Sequence, residues 1–231
     1  MPDARPVFRA VVFDMDGLLL DTERPVRAAW LSAAAAAGVA WSEPEYAGLI
    51  GLNHVDGGAR LLALFGAPDR LAAARGHAEA HLDARFGRRP FDVMPGARAW
   101  LHALRAARVP CALASSTHRA EVLRRLGDAG LLEFFDAVCG GDEVERGKPA
   151  PDLYTLALTR LGAAPTTTLA FEDSGPGVQA ALAAGLAVVA VPDLKPPEPA
   201  WQARCLAVLP SLEAAAEHGA EWFGIDRVPA A

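Results

Sequence analysis

The sequence predicts an α/β protein: a doubly wound parallel sheet interrupted by an all-helical insert. Three observations lead there. Beyond residue 90, short apolar runs alternate with amphipathic helical segments, the pattern of successive βαβ units. Before residue 90 one apolar run, 8–13, is followed by helical pattern with no strand signal between residues 20 and 89. Acidic, hydroxyl and lysine residues stand directly after the apolar runs or in the loops beside them, where open α/β sheets bind ligands.

The elements follow in order. Residues 8–13 (FRAVVF) are short and apolar enough for a buried parallel strand, closed by Asp14 and Gly17. Residues 25–37 carry Val26, Ala29, Trp30, Ala33 and Ala37 near helical spacing, with Gly38 as a stop. The clearest segments of the insert are 56–65 and 68–86, rich in alanine or leucine. Residues 96–107 read as helix, 110–114 (PCALA) as a strand ending at Ser115, and 119–129 as helix before Gly130. Residues 135–139 form a short strand ahead of two glycines. Residues 152–161 place Leu153, Leu156, Ala157 and Leu161 on one helical face, with Pro151 at the first turn. A strand at 168–171 ends at Glu172, a helix spans 177–184, and a strand spans 186–191. A last apolar run, 205–209, precedes a helix at 212–218. These elements predict a core of residues 1–19 and 90–231 and a helical cap of residues 20–89.

Composition limits what such a protein does. Hydrophobic residues make up 52% of the chain, enough for a sizeable core. The formal net charge of −6, with no compensating basic run, argues against nucleic acid and anionic membrane as partners. No apolar stretch reaches membrane-span length, and residues 1–10 lack an apolar signal core. The three cysteines, Cys111, Cys139 and Cys205, cannot all pair and sit among apolar or small residues. They read as reduced, buried hydrophobes, and the expected location is the cytoplasm. A monomer is expected, with a dimer as the alternative. Arginine supplies almost all the basic charge, and lysine occurs only at Lys148 and Lys195. A lysine kept in such a chain marks a place for a compact point charge that a planar guanidinium cannot fill.

Asp14 and Asp16 follow the first strand, and Ser115, Ser116 and Thr117 the second. Lys148 lies in the loop after the third, and Glu172 and Asp173 follow the fourth. Carboxylates gathered at one sheet edge repel unless a cation separates them. A hard, oxygen-seeking cation such as Mg2+, which accepts a few carboxylates, waters and a phosphate oxygen, fits the set. Hydroxyls at a strand–helix junction cradle anions, and Lys148 neutralises both a nucleophile and phosphoryl oxygens. An aspartate can attack phosphorus, and a second carboxyl two residues on can protonate the leaving oxygen and then activate water.

Four segments carry a family resemblance: residues 14–23 (DMDGLLLDTE), 112–116 (ALASS), 147–152 (GKPAPD) and 171–177 (FEDSGPG). In order and together they resemble the four motifs of the haloacid dehalogenase superfamily, in the branch that holds beta-phosphoglucomutase and many sugar and nucleotide phosphatases. The resemblance implies a Rossmann-like core with a helical cap inserted after the first motif. It implies that Asp14 is the nucleophile and that Asp16 is the general acid/base and offers its backbone carbonyl to the metal. Ser115 becomes the phosphate-binding hydroxyl and Lys148 the third-motif lysine. Asp173 becomes a metal ligand, and Glu172 a ligand acting directly or through water.

Other features carry plainer readings. Ser115 also suits a helix cap, Ser116 a structural role, Thr117 a supporting one, and Asp152 a helix start. His77 and His81 have the spacing of a zinc pair but no third ligand, and read as a solvated helix face. Trp30 and Trp41 read as core of the insert. Asp21, Thr22 and Glu23 mark the core–insert junction, as a hinge or helix entry, with substrate contact as the functional alternative. Residues 49–54 (LIGLNH) resemble the cap specificity loop, where the mutases carry lysine and arginine for a second phosphate. Here the matching positions are Ile50 and His54, which with Asn53 are candidate substrate contacts; a register shift of a few residues would bring in Arg60.

The expected function is hydrolysis of a small sugar or nucleotide phosphate by a Mg2+-dependent phosphatase. The alternatives are a phosphomutase, a metal-free dehalogenase, which the acidic Asp16 argues against, and a non-catalytic binding protein. The opening DMDGLLLDTER is similar to that of pseudouridine-5'-phosphatases, but it sits on the catalytic loop and says little of the leaving group.

Overall fold

The computed structural model describes residues 8–50, 54–86 and 91–225. Strand β1 (Ala10–Phe13) leads into α1 (Glu23–Ala36), α2 (Glu43–Tyr46), α3 (His54–Phe65) and α4 (Pro68–Phe86). Then follow α5 (Ala97–Ala106), β2 (Cys111–Ala114), α6 (Arg119–Asp128), β3 (Ala137–Cys139), α7 (Asp152–Leu161), β4 (Thr168–Glu172) and α8 (Gly175–Ala183). The chain closes with β5 (Ala187–Ala190), α9 (Pro199–Gln202), β6 (Ala207–Val208), α10 (Leu212–Glu217) and α11 (Gly219–Phe223).

All pairings are parallel, in the order β3-β2-β1-β4-β5-β6. This is the doubly wound, Rossmann-like order, which reverses direction between β1 and β4. Alternate residues face opposite layers. Val11 and Phe13 join a core with Trp100, Leu104 and Trp222, while Val12, Ala112 and Ala170 join one with Leu153, Tyr154 and Val178. Phe13 and Phe171 are register partners and stack at 5.1 Å, with Trp100 edge-on to Phe171 at 6.2 Å. This cluster fixes the ends of the two strands that flank the reversal, one residue short of Asp14 and of Glu172.

Helices α1, α3 and α4 enclose an apolar cluster of their own, with Ala29, Ala33, Leu61, Phe65, Leu71, Ala74 and Ala78. The segments entering and leaving this helical stretch pair with each other. Leu20 bridges Val93 in antiparallel fashion, Asp21 N–H donates to Asp92 O, and Met94 N–H donates to Leu19 O. Two differences from the sequence expectation are local. The run at 205–209 is a strand only over Ala207–Val208, because it is a sheet edge with Val208 exposed. The one-turn helices α2, α9 and α11 are too short to show a period.

Candidate active site

The first loop is built around Gly17. The main chain turns back so that Gly17 N–H donates to Leu20 O at 2.9 Å. Gly17 has φ +81°, and a Cβ there would lie 2.5 Å from Asp173 Oδ2. Glycine is required on both counts, and the turn brings the first loop against the end of β4. Asp14, held in the ladder by its N–H to Phe171 O, therefore sits beside Glu172 and Asp173 at the carboxyl edge of the sheet.

Lys148 completes the group. Its ammonium is buried and donates to Asp14 Oδ1 and to Glu172 Oε1, each at 2.5 Å. It also lies 5.2 Å from the Tyr154 ring centroid, and the Lys148–Pro149 peptide is cis. Burial disfavours the ammonium, yet Asp14 and Glu172 outweigh burial and raise its pKa. Asp14 is pushed up to about 8, by burial first, against the opposing pull of Lys148 and with the help of Glu172 and Asp16. Asp173 is raised well above the usual carboxylate range by burial and by Asp14 and Glu172.

Both carboxylate oxygens of Glu172 are engaged by protein donors. Oε1 accepts from Lys148 and from the Tyr154 hydroxyl at 2.7 Å, and Oε2 accepts from the Ser174 N–H and hydroxyl at 3.2 and 3.1 Å. These donors use the acceptor capacity of a carboxylate, so Glu172 acts as the anchor of Lys148. A Cβ on Gly177 would overlap the Glu172 carboxyl group, which accounts for the glycine in FEDSGPG.

Asp16 accepts from Thr117 Oγ1 at 2.9 Å, Ser115 Oγ at 3.2 Å and Arg125 Nη1 at 2.8 Å. Ser115 is fully buried, and its Oγ also accepts the Thr117 N–H at 3.1 Å. A cavity of about 420 Å3 opens over this cluster. Asp14, Asp16, Lys148, Asp173, Ser116 and Thr117 line it, with Glu23, Val26 and Ile50 from the helical stretch and Glu121 and Arg125 from α6. Glu23 is raised to about 7, by burial first and then by Asp16 and Asp193. Asn53 lies outside the described residues, and His54 opens α3 with its side chain outside them too. The Arg60 guanidinium packs beside Gly48 and does not line the cavity. His77 bonds Ser32 at 3.1 Å, away from the site.

Sequence reasoning did not single out Arg125, Glu121 or Tyr154. Arg125 Nε also bonds Glu121 at i,i+4, at 2.8 Å, which in sequence looks like an ordinary helix-surface pair.

The residues fit a divalent cation. Asp14 Oδ2 takes no bond from Lys148, and among the described residues the buried Asp173 carboxylate accepts no hydrogen bond or ion pair. Among the described residues no three acidic, histidine or cysteine side chains form a metal cage on their own.

Comparison with known proteins supplies the family. The model for "haloacid dehalogenase-like hydrolase" matches residues 8–185. This chain belongs to that family. The phosphorylated carbohydrates phosphatase of Thermotoga maritima is 36% identical over 179 residues, covering 77% of this chain and 82% of the relative. The fructose-1-phosphate phosphatase YqaB of Escherichia coli is 33% identical over 186 residues, covering 80% of this chain and 96% of the relative. Among solved structures, a family hydrolase from Deinococcus radiodurans with bound phosphate and sodium superposes with a TM-score of 0.76 at 32% identity, covering 94% of this chain and 96% of that one.

Proposed function

We propose that this phosphoric monoester hydrolase is a Mg2+-dependent phosphatase of small sugar or nucleotide phosphates that works through Asp14. The observation that carries the reading is the buried group itself: a lysine against Asp14, with Asp173 beside them accepting no hydrogen bond or ion pair from the described residues. Asp14 attacks phosphorus, the bond from phosphorus to the leaving oxygen breaks, and Asp16, which must leave its ion pair with Arg125 and carry a proton, gives that proton to the oxygen. Water then attacks the aspartyl-phosphate and loses a proton to Asp16. The Asp14–phosphorus bond breaks and inorganic phosphate leaves. Asp14, Asp173 and the Asp16 carbonyl would hold Mg2+, which supplies charge to the phosphoryl oxygens. Ser115, Ser116, Thr117 and Lys148 form the phosphate-binding set. Residues 20–89 act as a cap over the site, with Asn53 and His54 as its candidate substrate contacts.

The cap favours phosphatase over mutase. A mutase must keep a bisphosphate bound while it reorients, which calls for fixed positive charge opposite Asp14. The described cap residues on the cavity wall include Glu23, Val26 and Ile50 but no lysine or arginine, and Arg125 on the core side is already paired with Asp16 and Glu121. Beta-glucose 1-phosphate supplied with a glucose bisphosphate primer and Mg2+ should give no glucose 6-phosphate, while a panel of sugar and nucleotide monophosphates should give free phosphate. Rapid isomerisation with little phosphate release would reverse this assignment.

The metal has its own test. Excess chelator should abolish turnover, and Mg2+ should restore it where Ca2+, with longer bonds and a larger shell, does so poorly. Stability should respond as well. The raised carboxyls of Asp14 and Asp173 favour the protonated folded state. Their contribution is complete below the unfolded carboxylate pKa and is lost as pH rises, through about 8 for Asp14. Mg2+ should therefore raise the thermal midpoint more at about pH 8.5 than at about pH 5.5, where protons compete for the same oxygens. A shift that shrinks with rising pH would contradict the ligand set.

A further inference from the structure

We infer that Tyr154 is a positioning residue for phosphoryl transfer: its hydroxyl holds Glu172, and Glu172 in turn holds the Lys148 ammonium against Asp14. Tyr154 lies in α7, does not line the cavity, and is completely buried. Its hydroxyl donates to Glu172 Oε1 at 2.7 Å, the same oxygen that accepts from Lys148 Nζ at 2.5 Å. Its ring lies 5.2 Å from that nitrogen. The side chain thus meets the lysine twice, once through the shared carboxylate oxygen and once through the ring face.

The geometry has a clear consequence. A lysine ammonium on a flexible four-carbon stem has no preferred direction of its own. Two acceptors fix it here, and one of them, Asp14, changes charge and position when it carries the phosphoryl group. Glu172 is then the fixed reference, and it is fixed only if its own oxygens are held. Ser174 holds Oε2 through two donors, while among the described residues Tyr154 is the sole partner of Oε1 apart from the lysine. Without the tyrosine hydroxyl, Oε1 can follow the lysine as Asp14 changes state. Partners that orient a charged group from behind typically matter by about tenfold or more in activity.

The inference rests on Lys148 serving the phosphoryl group, and the experiment separates the two. Tyr154→Phe keeps the ring, the packing and the contact with the ammonium and removes one oxygen. Assayed with saturating Mg2+, it should lose about tenfold in kcat with KM little changed, and the inhibition constant of orthovanadate, which mimics the five-coordinate phosphorus, should rise in parallel. In a Glu172→Gln background, Tyr154→Phe should cost little more, because the hydroxyl then has no carboxylate to fix. A kcat and vanadate constant within about twofold of the parent would overturn the role of the tyrosine. So would full additivity with Glu172→Gln, or a lower thermal midpoint with unchanged turnover. If Lys148→Met itself keeps normal turnover, the reading of the lysine fails instead.

Discussion

Asp14→Asn is expected to remove turnover by roughly 10^4-fold or more while leaving the protein folded. The side chains are nearly equal in size, so the packing at the end of β1 is unchanged. The amide cannot form the aspartyl-phosphate, and the neighbouring Glu172 and Asp16 carboxylates are already engaged by other partners. Glu172 is saturated by Lys148, Tyr154 and Ser174, and Asp16 is held by Ser115, Thr117 and Arg125. The stability effect separates loss of the nucleophile from misfolding. Burial and neighbouring carboxylates push the Asp14 carboxyl up to about 8, so its ionised form is a strain on the metal-free fold that the neutral amide relieves. Lys148 keeps Glu172 as a partner. In chelator, the variant should melt at or above the parent temperature near neutral pH, and Mg2+ should raise its midpoint less. A purified variant with parent-like turnover would remove Asp14 from the chemistry. One that melts far earlier would make its loss of activity uninformative.

The parts of the site that could be read in the sequence are those whose position follows from a strand end. A parallel strand carries its next residues to one edge, so Asp14 after FRAVVF, Ser115 after PCALA and Glu172–Asp173 after TLAF were placed by local pattern alone, and the sheet order then gathered them. The helices α4 and α7 begin and end where their periodicity and the prolines Pro68 and Pro151 predict. Residues that reach the site from the middle of a helix were not legible. Arg125 and Glu121 form the commonest kind of helix-surface pair, and nothing local says that this face of α6 turns to the cavity and to Asp16. Tyr154 stands in a heptad-like apolar stripe with Leu153 and Ala157, so it looks like core, which it also is. The role of Glu172 depends on partners 18 and 24 positions away. A paired acid motif shows that two carboxylates are adjacent, not that one turns inward to a lysine while the other accepts no hydrogen bond from the described residues.

Lys148→Arg is expected to be nearly as damaging as loss of the charge, by about a hundredfold or more in kcat/KM. The argument is one of space. Nζ sits 2.5 Å from both Asp14 Oδ1 and Glu172 Oε1, and the side chain is only 5% exposed. Three walls surround it: the two carboxylates and the Tyr154 ring at 5.2 Å. A guanidinium keeps the charge but spreads it over a plane with donors on its rim. To pair with both carboxylates it must push the Asp14 oxygen or the tyrosine ring aside, in a region where Tyr154 and Phe171 are fully buried. The charge therefore survives and its position does not. Lys148→Met makes the complementary measurement. It leaves Asp14, Glu172 and Asp173 buried together with no protein cation among them, and breaking such a buried pair costs about 3–5 kcal/mol. Its midpoint in chelator should fall at neutral pH and recover toward acid pH as the carboxylates take up protons. If the arginine variant turns over at near-normal rate, the site tolerates a broad cation, and the scarcity of lysine in this arginine-rich chain has no bearing on why one stands at position 148.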